Sequence, residues 1–192
     1  MSDALFRPFE THLDLDRTVS LVREALSGAE DGELFLERRR SESLVLDDGR
    51  LKTASYDASE GFGLRAVKGE VAGYAHATEI SESSLRRAAE TARLAVGDGG
   101  GVMAPPPPGT NRTLYTDADP IAGASFPVKV DTLKEIDAFA RDLDSRVVQV
   151  TASIAASLQE VAILRPEGGL VTDVRPMTCL LYTSPSPRDR TR

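Results

Sequence analysis

Asp47-Asp48-Gly49-Arg50 constrains this chain more than any other segment, because it leaves the flanking residues only one way to pair. Ser43–Leu46 precedes it and Leu51–Tyr56 follows it, both β-forming runs. An Asp-Gly pair tolerates the positive φ angles that a two-residue hairpin demands. The signal recurs. Lys68-Gly69-Glu70 separates Phe62–Val67 from Val71–Ala77, and Glu167-Gly168-Gly169 separates Gln159–Leu164 from Leu170–Val174. Glu33–Arg40 adds an earlier run, and Arg146–Ala155 alternates with a period of two at Val148, Val150, Ala152 and Ile154. Short strands joined in series by tight turns imply an antiparallel, meandering sheet.

Three amphipathic segments punctuate the strands after an irregular lead-in over residues 1–15. Asp16 is the expected cap of a helix running to Ser27, with Val19, Val22 and Leu26 on one face and Gly28 past its end. Glu82–Val96, capped by Ser81, places Leu85, Ala88, Ala89, Ala92, Ala95 and Val96 at helical spacing. Its alanine-rich stripe allows close approach to a sheet. Pro127 opens a third helix to Asp144, with Leu133, Ile136, Phe139, Ala140 and Leu143 as the expected apolar face. The predicted class is α+β: an antiparallel or mixed sheet of hairpin-connected strands with about three helices packed on it. Gly97–Arg112, with three consecutive glycines and four consecutive prolines, can be neither helix nor central strand and reads as an exposed linker.

Charge and cysteine content narrow the function classes. The 192 residues carry 30 acidic and 23 basic side chains, a net charge of −7, which argues against nucleic acid as a partner. Arg38-Arg39-Arg40, set between Glu37 and Glu42, reads as a solvated strand end. The single cysteine, Cys179, has no partner for an internal disulfide, which suits a reducing compartment. The N-terminus has no apolar run of signal-peptide length, and no window approaches the roughly 18 apolar residues of a membrane span, so no membrane partner and a cytoplasmic location are expected.

No catalytic set stands out. The two histidines, His12 and His76, lie far apart in sequence, and no His-Glu-x-x-His pair, Gly-x-Ser-x-Gly elbow or Cys–His pair is present. Gly61-Phe62-Gly63 and Gly99-Gly100-Gly101 lack the Lys-Ser/Thr of a phosphate loop. No residue is therefore assigned a catalytic, cofactor-binding or metal-binding role.

One longer pattern is informative. Within Glu42–Ser81, a strand pair leads to Gly61-Phe62-Gly63-Leu64-Arg65-Ala66, then to Gly73-Tyr74-Ala75, then to the alanine-rich helix. This block resembles the first conserved block of the TldD/PmbA family. Val147–Met177, with Val150-Thr151-Ala152-Ser153 and Asp173-Val174-Arg175-Pro176, resembles that family's next strands and favours its TldD branch. Leu114-Tyr115 and the helix from Pro127 also match. The resemblance implies a subunit of a zinc-dependent protease that acts on unfolded peptides with a TldE/PmbA-like partner. It places the metal on a His-Glu-x-x-x-His helix and a downstream cysteine in a C-terminal half. On this reading residues 1–177 are the N-terminal domain, with the linker 97–112 inside it. Zinc belongs to the full-length parent, and this chain alone is inactive. Residues 178–192, ending in LLYTSPSPRDRTR, break the pattern and read as an aberrant tail resembling translated adapter sequence. The alternatives are a non-catalytic binding module or regulator of the DNA-gyrase-modulator type, and a fragment that does not fold stably.

Overall fold

A computed structural model describes residues 5–97, 102–105 and 115–184. Four helices and five strands follow in the order α1 (Pro8–Thr11), α2 (Leu15–Ala25), β1 (Asp31–Asp47), β2 (Arg50–Lys68), β3 (Val71–Ala77), α3 (Glu82–Val96), α4 (Phe126–Leu143), β4 (Thr151–Leu164) and β5 (Leu170–Thr183). The strands form one antiparallel sheet in the order β3-β2-β1-β4-β5. The α+β class read from the turns is the fold observed.

Each turn takes the geometry its residues allow. Asp48 (φ 52°) and Gly49 (φ 74°) both sit at positive φ, as a type I′ hairpin requires. Only Gly69 (φ 55°) does so in the second turn, the type II′ signature with glycine first. Gly168 (φ 95°) ends a three-residue loop closed by Arg165 N–H to Gly169 O at 2.9 Å.

The strands differ from the sequence reading in length. Glu33–Arg40 and Ser43–Leu46 fuse into β1, and Leu51–Tyr56 and Phe62–Val67 fuse into β2. The reason is visible in β1. Its buried positions are Gly32, Leu34, Leu36, Arg40, Leu44 and Leu46, all of one parity, with Arg38 and Glu42 half-buried in the two gaps. A charged side chain at position 40 interrupts the apolar pattern without interrupting the strand. Arg38-Arg39-Arg40 is thus not a solvated strand end: it lies mid-strand, with Arg40 buried. β4 starts at Thr151 rather than Arg146, and β5 runs on past Val174 to Thr183. Residues 185–192 of the tail lie outside the described residues, as does most of the linker 97–112.

The chain divides into two compact units. The first comprises Met1–Arg39, Ser59–Leu114 and Gln159–Val174. Its core is aliphatic: Val22 and Leu26 of α2, Leu34 and Leu36 of β1, Leu64 and Ala66 of β2, Leu85 and Ala92 of α3, and Leu164 of β4. Each large side chain so buried contributes about 1.5–3 kcal/mol relative to exposure. The cap of α2 is Asp14, which accepts from Arg17 N–H at 2.9 Å, and not Asp16, which sits in the first turn. Ser81 caps α3 as expected, accepting from Ser84 N–H. Four residues of its predicted stripe (Leu85, Ala88, Ala89, Ala92) are buried; the side chains of Ala95 and Val96 lie outside the described set.

The second unit comprises Arg40–Ala58, Tyr115–Leu158 and Arg175–Arg192. Its buried cluster is small: Leu44 and Leu46 of β1, Leu133 of α4 and Ala152 of β4. Helix α4 is turned from its expected face. Leu133 is buried and Ile136 packs against the cluster, but Phe139 and Leu143 are 65% and 70% exposed. Lys129 and Asp137 take the buried side instead. Partners outside the helix favour this rotation: Lys129 Nζ donates to Glu42 Oε1 at 2.5 Å and to Ile121 O at 2.6 Å, and Arg141, which holds Asp137 on the same helix at 3.0 Å, also reaches Asp48.

Candidate functional site

β3 is the last strand of the sheet, so among the described residues one side of its backbone faces no other strand. Its register with β2 runs from Lys68↔Val71 to Phe62↔Ala77. In a two-residue hairpin the closing pair exchanges both N–H···O bonds, and bonded pairs then alternate. Val71, Gly73, Ala75 and Ala77 therefore spend their backbone groups on β2. Ala72, Tyr74 and His76 aim theirs outward. That is the geometry to which an extended chain can add as a further strand.

A shallow groove of about 270 Å³ lies beside this edge, lined by residues of β1, β2 and β3 and by Thr78. Leu34, Leu36, Phe62, Leu64 and Ala66 belong to the core, so the alternate residues Phe35, Glu37, Gly61 and Gly63 line the groove. Tyr74 lies directly on Gly63. A Cβ there would come within 2.5 Å of Tyr74 Oη, so only glycine lets the ring settle on the strand. Tyr74 stacks with His76 at 5.7 Å between ring centroids. Glu37 is held by Gln159 Nε2 at 2.7 Å.

Charged side chains elsewhere in this unit are structural. Glu160 is only 3% exposed and is the hub of the N-terminal segment. It accepts from Arg38 Nε (3.0 Å) and Nη2 (3.1 Å) and from the backbone N–H of Phe6 (2.8 Å), while Arg38 lies 5.6 Å from the Phe6 ring centroid. Asp31 bridges Arg65 (2.8 Å) and Arg165 (2.7 Å). Burial pushes its carboxyl up, but the Arg165 hydrogen bond, the Gly32 N–H and both guanidiniums outweigh that and hold it below its ordinary value.

In the second unit, Arg40 meets Asp119 at 3.1 Å, and Asp119 Oδ1 also accepts from Ile121 N–H at 2.8 Å. With Lys129 and Glu42, these groups tie the segment around Ile121 to β1 and to the first turn of α4.

The two histidines and the cysteine do not converge on a metal. His12 is the exposed C-cap of α1, His76 stands on the groove, and Cys179 is exposed on β5. Among the described residues no group of three His, Cys, Asp or Glu is placed to hold an ion. A zinc centre needs about three protein ligands, so the residues present do not fit one. Sequence reasoning located the β2–β3 hairpin. It did not find Tyr74 over Gly63, nor the buried partners of Arg38 and Lys129, which come from segments distant in sequence.

Comparison with known proteins settles the family. Residues 32–96 match the model of PmbA/TldA metallopeptidase domain 1, and residues 119–183 match that of the PmbA/TldA metallopeptidase central domain. The chain belongs to the PmbA/TldD metallopeptidase family. It is 31% identical over 164 residues to the metalloprotease TldD homolog of Buchnera aphidicola (subspecies Acyrthosiphon pisum), an alignment covering 85% of this chain and 34% of that protein. To the TldD homolog of Haemophilus influenzae it is 32% identical over 151 residues, 77% of this chain and 31% of the relative. The chain thus spans about a third of the length of these relatives. Two solved structures share the fold. A Bacteroides thetaiotaomicron protein described as a candidate modulator of DNA gyrase superposes with TM-score 0.65 at 17% identity, covering 88% of this chain and 40% of that one. TldE from Thermococcus kodakarensis gives 0.59 at 14% identity, covering 88% and 42%. Among the described residues no helix is long and apolar enough to cross a membrane.

Proposed function

We propose that this chain is the N-terminal part of a TldD-type zinc metallopeptidase that works in the cytoplasm with a TldE/PmbA-like partner. Its own share of the work is to hold an extended, unfolded peptide along β3. The observation that carries this reading is the succession of the family's first and central domains within one chain that spans about a third of its TldD relatives. Zinc and the hydrolytic groups belong to the remainder of the parent protein, and the chain alone is inactive. The family match runs to residue 183, six residues past the boundary expected at Met177, and only the sequence beyond it is read as foreign. The test is to read the gene in frame past the codon for Val174. Continuation into a His-Glu-x-x-x-His helix, and zinc-dependent peptide cleavage by the parent protein, support the proposal. A genuine stop after Arg192 overturns it and favours the second reading.

That second reading is a non-catalytic regulator. Its support is the net charge of −7, which suits a partner with a basic surface. Capture of a purified TldE-like subunit by this chain, with no zinc-dependent cleavage by the pair or by any longer product of the gene, would favour it.

The edge itself can be tested separately. Ala72→Pro removes an outward N–H and leaves the β2 ladder in place, so peptide binding falls while stability holds. Ala75→Pro breaks the ladder and lowers both. Unchanged peptide affinity in Ala72→Pro would rule out strand addition at β3.

A further inference from the structure

Resting on the reading of β3 as a peptide-accepting edge, we propose that the groove beside it seats a lysine or arginine side chain of the bound peptide. Three observations converge. The Tyr74 ring is 63% exposed, laid on Gly63 and backed by His76, so one π face is held in place for a cation. Glu37 and Glu60 line the same groove. Gln159 holds one oxygen of Glu37 and so fixes that carboxylate, which retains acceptor sites for a guanidinium or ammonium. The groove's volume of about 270 Å³ falls at the low end of small-molecule pockets and suits a single long side chain.

The cation opposite Tyr74 on β2 is committed elsewhere. Arg65, in register with Tyr74, pairs with Asp31 at 2.8 Å and lies 3.6 Å from Glu33. The net charge of −7 adds long-range attraction for a basic peptide. The outward backbone groups of Tyr74 and His76 would fix the peptide's register, and the groove would select the side chain presented to it.

The experiment is fluorescence anisotropy on the full chain with three labelled heptapeptides that differ only at the central residue: lysine, norleucine or glutamate. The expected order is lysine, norleucine, glutamate, with about a tenfold step between the first two. That step should shrink at about 0.5 M NaCl, where the Debye length falls below about 5 Å. Glu37→Gln/Glu60→Gln should abolish the lysine preference and leave norleucine binding unchanged; Tyr74→Leu should weaken lysine binding more than norleucine binding. Equal affinity for the three peptides overturns the proposal on the wild-type chain alone, without reliance on any variant. If that equal binding is lost in Ala72→Pro, strand addition stands and only the side-chain selectivity fails. If no peptide binds, both fail. A lysine preference that survives in Glu37→Gln/Glu60→Gln also overturns it.

Discussion

The two units of this chain are stabilised by different physics. The first buries a broad aliphatic cluster in which leucines and alanines of two helices meet leucines of the sheet. The second has a smaller cluster, Leu44, Leu46, Leu133 and Ala152, with Ile121, Val150, Ala156 and Leu158 also buried, and beside them sets Arg40 against Asp119 and Lys129 against Glu42. Burial of apolar area is forgiving of shape, because a side chain of similar volume recovers most of it. A buried ion pair is not forgiving. Its desolvation cost is met only while both partners are present, and removing one leaves a bare charge. Apart from its own Arg38–Glu160 pair, the first unit should therefore tolerate conservative change, and the second should not.

Substituting the same residue into each unit puts that contrast at risk. Lys129→Met should cost about 3 kcal/mol, because Glu42, only 16% exposed, is left without its cation. The loss would appear as a lowered urea midpoint and as lost hydrogen-exchange protection in α4. Lys129→Met/Glu42→Leu should recover most of it. A single variant as stable as the wild type would end the distinction between the units.

In the first unit Leu34→Met, at a fully buried position, should cost less than about 1.5 kcal/mol. Leu64→Ala, also fully buried, should cost about 2–5 kcal/mol through the cavity it leaves. Equal midpoints for these two variants in urea would show that volume does not govern this core.

Smaller effects follow at the edges of each unit. Asp14→Ala removes the α2 cap and should cost about 1 kcal/mol, whereas Asp16→Ala should cost less, read from thermal melts. Asp31 carries the first unit's clearest acid sensitivity. Its folded carboxyl is held below the ordinary 3.8, so its contribution is complete above about pH 4 and is lost as pH falls through the lowered folded value. The acid limb of a pH–stability curve should therefore flatten in Asp31→Asn. In the second unit hydrogen bonds from Arg146 lower the carboxyl of the half-buried Asp144 to about 2. In Arg146→Gln an NMR titration should find it back near the ordinary carboxylate range, with the thermal midpoint hardly moved.

The lesson of the triple arginine is local. Arg38-Arg39-Arg40 looked solvated because charge on a strand usually is. Nothing in the sequence near it announces Glu160 or Asp119, more than 70 residues further on. The same holds for α4: Phe139 and Leu143 suggested one buried face, and Glu42 and Asp48, the partners of Lys129 and Arg141, favour another. The groove was legible only in part. Gly61 and Gly63 were noticed as a glycine pair, but their use as a seat for Tyr74 depends on the β2–β3 register.

What the sequence determined by itself is whatever depends on neighbours along the chain. Asp48-Gly49, Gly69 and Gly168 dictated the turns through the φ angles only such residues take easily. Ser81 dictated where α3 starts, and the turns dictated the hairpin runs β1-β2-β3 and β4-β5; the single meander expected from them is not formed, because β4 pairs with β1. Tertiary structure alone decided which polar residues are buried, how far the strands run through charged stretches, and which side of α4 faces inward. Those outcomes depend on whether a desolvated charge meets an opposite charge, and the partners of Arg38, Arg40 and Lys129 lie far away in the chain and come together only when it folds.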